Sequence, residues 1–472
     1  MPQNSKSYRL LSLLLIASTA WATPKNVLLI SLDDLRPELK SFGAEYIHSP
    51  NIDALAASGR AFTRHYVNAP SCGPSRYTLL TGQYGGADNG ALFNRATQLK
   101  RDPKSFPPSM PEWFRKHGYT TVAVGKVSHH PGGLGGKNWN DPNQVEMPHA
   151  WDRQLMPSGE WQHPRGAMHG LAHGNIRKNA GDHPVFEAAE GPNEIYPDGL
   201  IAQEGLKQLE ELTKANEPFF LAIGLIRPHL PFGAPKRFLD LYEGVELPPI
   251  PHPEKPEGPS TWHNSGEFMK YQRWGKDPRK DPAFADEVRR HYAACVSYVD
   301  EMVGQLINKL EATGAAKDTI IVVWGDHGWH LGEHAIWGKH ALFEESLHAP
   351  LIIVTPEIPR PGSAAGGIVE TLDIFPTLCD LLGIEIPDFA MGTSLRPMLE
   401  DPASPGHAAV GYWRQAKTIR TDHYRYIVHH SGDMELYDHR SPEKETLNIA
   451  EQNPETTQAL QQQLEAKLQD RK

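Results

Sequence analysis

A chain of 472 residues has room for one large domain with an appendage, or for two or three small ones. Its 39% hydrophobic and 22% charged residues allow a sizeable core and exclude disorder as the default state. The formal net charge of -10, with no long basic run, argues against a nucleic-acid partner, so any bound anion requires a local positive pocket.

At the start of the chain, Lys6 and Arg9 precede a short apolar run over residues 10–17, and Ala20-Trp21-Ala22 fits a small-residue cleavage site. Residues 1–22 therefore read as a signal peptide. The product is expected to be exported, periplasmic or secreted, without a stable membrane span.

Further on, apolar runs end abruptly in reactive residues. Residues 26–32 run into Asp33-Asp34, 120–125 into Lys126, 219–226 into Arg227-Pro228-His229, and 319–325 into Asp326-His327. Runs unbroken by polar alternation predict strands buried on both faces, as in parallel sheets. Helical patterns lie between them, over 109–118, 200–212 and 296–314. Strand alternating with helix predicts an α/β fold whose site lies beyond the carboxyl ends of the strands. Two loop-rich stretches, 137–197 and 246–282, carry Trp, His, Pro and Gly and are expected to shape that site.

From about Asp401 the pattern changes. Residues 418–430 and 434–440 alternate like antiparallel strands joined by Ser-Gly-Asp. A terminal helix follows, with Asn453 as cap, Pro454 in the first turn, and Leu460, Leu464 and Leu468 on one face. This divides the mature chain into a catalytic domain, 23–400, and a C-terminal α+β subdomain, 401–472.

The three cysteines cannot build a disulfide framework. Cys295 and Cys379 lie in helical apolar stretches and read as small buried hydrophobes. Cys72 precedes Pro74, which suits the first turn of a helix that Gly82 ends. A thiol there is open to two readings: a low-pKa nucleophile, or part of an anion site at a helix N-terminus.

The segment Cys72–Gly82, CGPSRYTLLTG, resembles the C-x-P-S-R-x-x-x-L-T-G signature of type I sulfatases at every specified position. Further segments are similar to that family, and the resemblance runs from about Pro24 to Ala450. It implies an alkaline-phosphatase-like sandwich and conversion of Cys72 to formylglycine by a formylglycine-generating enzyme that recognises Pro74, Ser75 and Arg76. A formylglycine hydrate offers one hydroxyl to attack sulfur and a second whose deprotonation expels sulfate. Asp33, Asp34, Asp326 and His327 match the family's metal segments, with residue 72 also at the metal. The fourth position is often Asn there. Hard oxygen ligands favour Ca²⁺ or Mg²⁺ over Zn²⁺, and the family's ion is Ca²⁺.

By the same resemblance, Lys126 and Lys339 grip the sulfate together with Arg76. His229, in a Pro-His-Leu-Pro context like that of the iduronate 2-sulfatase branch, protonates the leaving alcohol, and Lys339 is its possible aid. The more common Lys-x-His spacing would place the second histidine at Ser128. Here His129 takes that part, as base for the second hydroxyl, with His130 as the substitute. Trp329, His330, Glu333 and Trp337 read equally as substrate contacts or loop packing. The resulting expectation is hydrolysis of a carbohydrate sulfate ester, and the iduronate 2-sulfatase-like segments suggest a 2-O-sulfated uronic acid or similar unit of a glycosaminoglycan or algal polysaccharide. Two rivals stand beside it: a phosphonate monoester or phosphodiester hydrolase of the same superfamily, and a non-catalytic binder of sulfated glycans.

Overall fold

The computed structural model describes residues 25–469 except Lys137, Asn216, Gly258, Pro259 and Glu357, so the signal-peptide reading of residues 1–22 lies outside the described residues. Its centre is a seven-stranded sheet in the order Arg60–Ala61, Leu351–Val354, Thr319–Gly325, Asn26–Leu32, Phe219–Leu225, Thr120–Gly125, Arg153–Leu155. The four apolar runs predicted as strands are its four middle parallel members, and the long ones are buried throughout. Leu351–Val354 alone runs antiparallel to its neighbours, which makes the sheet mixed but mostly parallel.

Alternate residues of each strand feed separate cores, because successive side chains point to opposite faces. Leu28, Ile30 and Leu32 pack with the helices Pro50–Ser58, Pro197–Ala215 and Pro282–Ala312. Val27 and Leu29 pack with Cys72–Thr81, Met110–Lys116 and Ile374–Leu382. The result is a three-layer α/β/α sandwich. The longest helix begins well before the predicted 296, at Pro282, where the Asp281 carboxylate accepts the Phe284 N–H as an N-cap. Cys295 and Cys379 are fully buried on such helices, as read from the sequence.

A second sheet, Ala409–Trp413, Ala416–Arg420, Tyr424–His429 and Met434–Asp438, is antiparallel throughout. The stretch 418–430 is thus not one strand: Thr421-Asp422-His423 turns the chain back on itself. The helix Pro454–Gln469 covers one face through Leu460 and Leu464, with Leu468 partly buried beside them.

His407, just before this sheet, ties it to the core. Its Nε2 lies 2.9 Å from Asp373 Oδ2 and its Nδ1 3.6 Å from Glu370 Oε2. Burial alone would lower its pKa, but the Asp373 hydrogen bond and charge, with Glu370, lift it from 6.5 to about 9. A raised folded-state pKa stabilises fully below pH 6.5 and less as pH rises through about 9. The expected contribution is about 1–3 kcal/mol, since the ring is partly exposed. Urea unfolding of wild type and His407→Gln across that window checks this, and their stability gap should close as pH rises.

Candidate active site

The parallel strands deliver their chemistry at their carboxyl ends, where an open α/β sheet forms its crevice. Asp33 and Asp34 follow Leu32, Lys126 follows Gly125, and Asp326-His327 follow Gly325. These ends approach closely only because of glycine: a Cβ on Gly224 would stand 2.0 Å from the Lys126 carbonyl oxygen. Asp34 adopts left-handed backbone, φ 61, which costs a non-glycine residue about 1–2 kcal/mol. Its N–H donates to Asp326 Oδ1 at 2.9 Å and its carbonyl accepts from the Tyr292 hydroxyl at 2.8 Å, which holds the turn.

The helix Cys72–Thr81 starts among these ends, and Gly82 at φ 66 closes it with its N–H on the Thr78 carbonyl. Ser75 donates its hydroxyl to the Asp326 carbonyl. Arg76 is fully buried. Its Nε donates to Asp326 Oδ2 at 2.9 Å, its Nη2 stands 3.4 Å from Asp33 Oδ1, and its Nη1 donates to the Lys126 and Val127 carbonyls. Lys126 pairs with Asp33, and Lys339 with Asp34 Oδ1 at 2.8 Å.

Cys72 Sγ sits in the midst of this lattice of charge. It is 3.3 Å from His327 Nε2 and Lys339 Nζ, 3.8 Å from Lys126 Nζ and 3.9 Å from Asp34 Oδ1. Burial, then Asp33, pushes the thiol pKa well above its usual value despite the two lysines. Of the two readings of the helix start, the low-pKa nucleophile is therefore disfavoured: this thiol keeps its proton.

Burial likewise lifts Asp34 above the usual carboxylate range despite Lys339, and lifts Asp326 to about 7 with Asp33 beside it. Asp33 goes the other way, because Lys126, His229 and Arg76 overcome its burial. Asp33 Oδ1 and Asp34 Oδ2 are buried acceptors without a hydrogen-bond partner among the described residues. Ligand atoms of Asp33, Asp34, Cys72 and His229 lie within 4.8 Å of one another, and so do those of Asp33, Cys72, Asp326 and His327. Orphaned, hard, buried oxygens at that spacing fit a divalent cation.

Above the cluster opens a cavity of about 1680 Å³. Cys72, His129, His229 and Lys339 border it, whereas Arg76, Lys126, the three aspartates and His327 lie behind. His229 Nδ1 donates to the Leu230 carbonyl at 2.6 Å, which leaves Nε2 toward the site. Burial, then Lys126 and Lys339, lowers its pKa well below normal. His129 is lowered too, by burial and then Lys126, and its Nδ1 is buried without a partner among the described residues. His130 is held away by Glu146, 2.7 Å from its Nδ1, and does not border the cavity. Trp329, His330, Glu333 and Trp337 are all buried and absent from the cavity wall, so none of them contacts a substrate there.

Both irregular stretches line this cavity, the first through Arg165, Arg177 and Lys178. Two contributors escaped the sequence reading. The hairpin turn Arg414-Gln415 with Trp413 reaches in from the C-terminal sheet, and Trp413 stacks on His340 at 4.8 Å and 11°. Glu267 places its carboxylate 3.9 Å from His229 Nε2 and 4.0 Å from Lys339 Nζ. Burial opposes its charge, but Lys339 and His340 hold it ionised. Glu267→Gln is expected to lower kcat about tenfold or more, by removing the charge that favours a protonated His229. KM should fall as well, since a repulsive charge facing an anion is lost, and steady-state kinetics separates the two effects.

A parallel-sheet sandwich with an acidic, cation-ready cluster at its strand ends and a helix-start residue over it defines an alkaline-phosphatase-like hydrolase centre. The chain belongs to the sulfatase family, whose family model, described as sulfatase, matches residues 25–384. A second model, described as N-sulphoglucosamine sulphohydrolase, C-terminal, matches residues 332–472. The chain is 31% identical over 399 residues to iduronate 2-sulfatase of Homo sapiens, across 77% of this chain and 70% of that protein. It is 31% identical over 454 residues to a sulfatase of Formosa agariphila, across 90% and 83%. The structure of a phosphonate monoester hydrolase of Agrobacterium radiobacter is similar in fold, with a TM-score of 0.74, 23% identity and coverage of 95% and 96%. Membership in the sulfatase family makes this protein a sulfuric ester hydrolase.

Proposed function

We propose that this protein is an exported sulfatase that removes a sulfate ester from an anionic sugar unit, with Cys72 matured to formylglycine and Ca²⁺ as its metal. The observation that carries this reading is the cavity: its floor is Cys72 with Lys339, His129 and His229, and its walls hold Arg165, Arg177 and Lys178. Cations distant from the reacting centre suit a sugar bearing a second anion, such as a uronate carboxylate or another sulfate. Similarity to iduronate 2-sulfatase favours a 2-O-sulfated uronic acid or a comparable unit. Among the described residues, no helix is long and apolar enough to cross a membrane. The antiparallel sheet that begins at Ala409 supports a division between a catalytic domain, 23–400, and a subdomain, 401–472.

In this reading Asp33, Asp34, Asp326 and His327 would hold Ca²⁺, which would supply Lewis-acid chemistry. Formylglycine at residue 72 would supply the nucleophile. The chain's own residues do the rest. Lys339 presents its ammonium to the sulfate, with Lys126 and Arg76 adding positive potential from behind, the electrostatic contribution that usually dominates. Sulfate binding offsets the field of Lys126 and Lys339 at His229, so Nε2 gains a proton as substrate enters and holds it for the leaving alcohol. His129, neutral and with a bare ring nitrogen, suits the role of base.

The test is sulfate release, read by ion chromatography, across defined sulfated saccharides. The full chain is co-expressed with a formylglycine-generating enzyme, and the mass of the peptide carrying residue 72 is checked first. Release from a sugar bearing a second anion is the expected result. Faster hydrolysis of phosphodiesters than of any sulfate ester would overturn the reading. So would glycan binding by aldehyde-bearing protein with no turnover, unaffected by Cys72→Ala.

A further inference from the structure

We propose that His330, His334 and Glu345 form a second metal site, for a divalent transition metal of the Zn²⁺ class, which braces the loop carrying Lys339. His330 Nε2 lies 3.4 Å from Glu345 Oε2, and His334 Nε2 lies 3.5 Å from the same oxygen. These separations exceed the about 2.7–3.2 Å of a good N–H···O hydrogen bond. They match the about 3.3–3.4 Å between ligand atoms of a tetrahedral Zn²⁺ with bonds of about 2.0–2.1 Å.

The tautomer of His330 points the same way. Its Nδ1 lies 3.0 Å from the Ser346 hydroxyl, whose own proton goes to the Lys339 carbonyl, and 3.2 Å from the Gly338 carbonyl; both then accept, so Nδ1 carries the proton. Nε2 of the neutral ring is then a bare lone pair aimed at a carboxylate oxygen. The ring is fully buried, and neither Nε2 nor Glu345 Oε2 has a hydrogen-bond partner among the described residues. His330 Nε2 and Glu345 Oε2 are two acceptors facing each other, and a cation held between them and His334 Nε2 would satisfy all three. An imidazole whose other nitrogen donates to a backbone carbonyl is also the usual arrangement of a metal-bound histidine.

The local backbone adds to the case. His334 and Ala335 both take left-handed backbone, φ 55 and φ 57, a strain that persists where its surroundings fix it. Phe343 stacks on the His334 ring at 4.5 Å, and a cavity of about 320 Å³ beside His334 and Glu345 leaves room for a water as fourth ligand. The adjoining cluster of Glu344, Glu445 and His439 makes the contrast. There the acids already hold a cation, Arg425, whose Nη2 is 2.6 Å from Glu344. Two imidazoles and one carboxylate suit Zn²⁺ better than Ca²⁺, which takes oxygen.

A metal here acts on the catalytic loop through short links. His330 Nδ1 holds the Gly338 carbonyl, and the Ser346 hydroxyl donates to the Lys339 carbonyl at 2.8 Å. The Gly338 carbonyl is thereby tied to one ligand, and the Lys339 carbonyl to Ser346, the chain neighbour of another.

The experiment uses the full chain in a Cys72→Ala background, which removes a competing thiol, with excess Ca²⁺ to occupy the aspartate cluster. Zn²⁺ is titrated against a chromophoric chelator, and thermal unfolding is followed with and without it. One tight equivalent and a raised unfolding temperature are expected. His334→Ala should lose that equivalent. Glu345→Gln, a near-isosteric change, should weaken it by more than the about 10- to 100-fold that loss of an outer partner costs. Asp326→Asn should keep it. No tight equivalent in the parent, equal uptake by Glu345→Gln, or loss with Asp326→Asn would each overturn the proposal, even if His334→Ala failed to fold.

Discussion

Cys72→Ala and Cys72→Ser, made in cells that supply the formylglycine-generating enzyme, are expected to lose sulfate-ester hydrolysis by at least about 10⁴-fold while remaining folded. Sγ packs among polar groups and is no part of an apolar interior, so its removal should cost little stability. The serine variant is the sharper of the two. It restores a hydroxyl, but a simple alcohol lacks the second hydroxyl that a hydrated aldehyde uses for release, so turnover should stop. Unmodified wild type should be equally silent, and raising the pH should not rescue it, because burial and Asp33 hold the thiol protonated far above neutrality. Matching activity to the aldehyde fraction at residue 72, by peptide mass, checks all three. A thiol-bearing protein with full activity would sink the formylglycine reading. Burial adds a constraint on maturation: Pro74, Ser75 and Arg76 are inaccessible in the fold. Their recognition by a modifying enzyme must then precede folding, and folded thiol protein should gain no aldehyde when that enzyme is added later.

The site was legible where chemistry follows a long apolar run. Asp33-Asp34, Lys126, His229 and Asp326-His327 each sit at the end of a buried parallel strand, and such strands announce themselves by unbroken hydrophobicity. Edge strands did not: Arg153–Leu155 is half-buried and only three residues long, too short for any pattern. Glu267 and the Trp413 hairpin were hidden for another reason. They reach the cavity by chain reversal from irregular or antiparallel segments, and no local period encodes which distant loop folds over a site. Side-chain direction was hidden as well. The spacing placed Arg76 beside the catalytic residue, one turn into the helix, but could not say that its guanidinium faces the strand ends and not the cavity.

That direction makes Arg76 the second decisive residue. It is the cation that joins Asp33 and Asp326 across neighbouring strands, at 0% exposure for all three side chains. Removing one partner of a buried ion pair leaves an uncompensated charge, at a cost of about 3–5 kcal/mol. Arg76→Ala is therefore expected to lower the unfolding free energy by about that amount in urea titrations without added metal. Ca²⁺ should recover part of the loss, and should stabilise Arg76→Ala more than wild type, because the ion takes over the missing positive charge at the same carboxylates. Arg76→Lys should fold better than the alanine variant and still lack the Nε bond to Asp326 and the paired carbonyl contacts of Nη1, which only a planar fork provides. Its activity should fall because Asp326 and the Lys126 turn lose their anchor, with KM changed less than kcat. If Arg76→Ala instead unfolded like wild type and lost only substrate affinity, the guanidinium would have to face the sulfate, and the buried bridge between the strand ends would carry no stability.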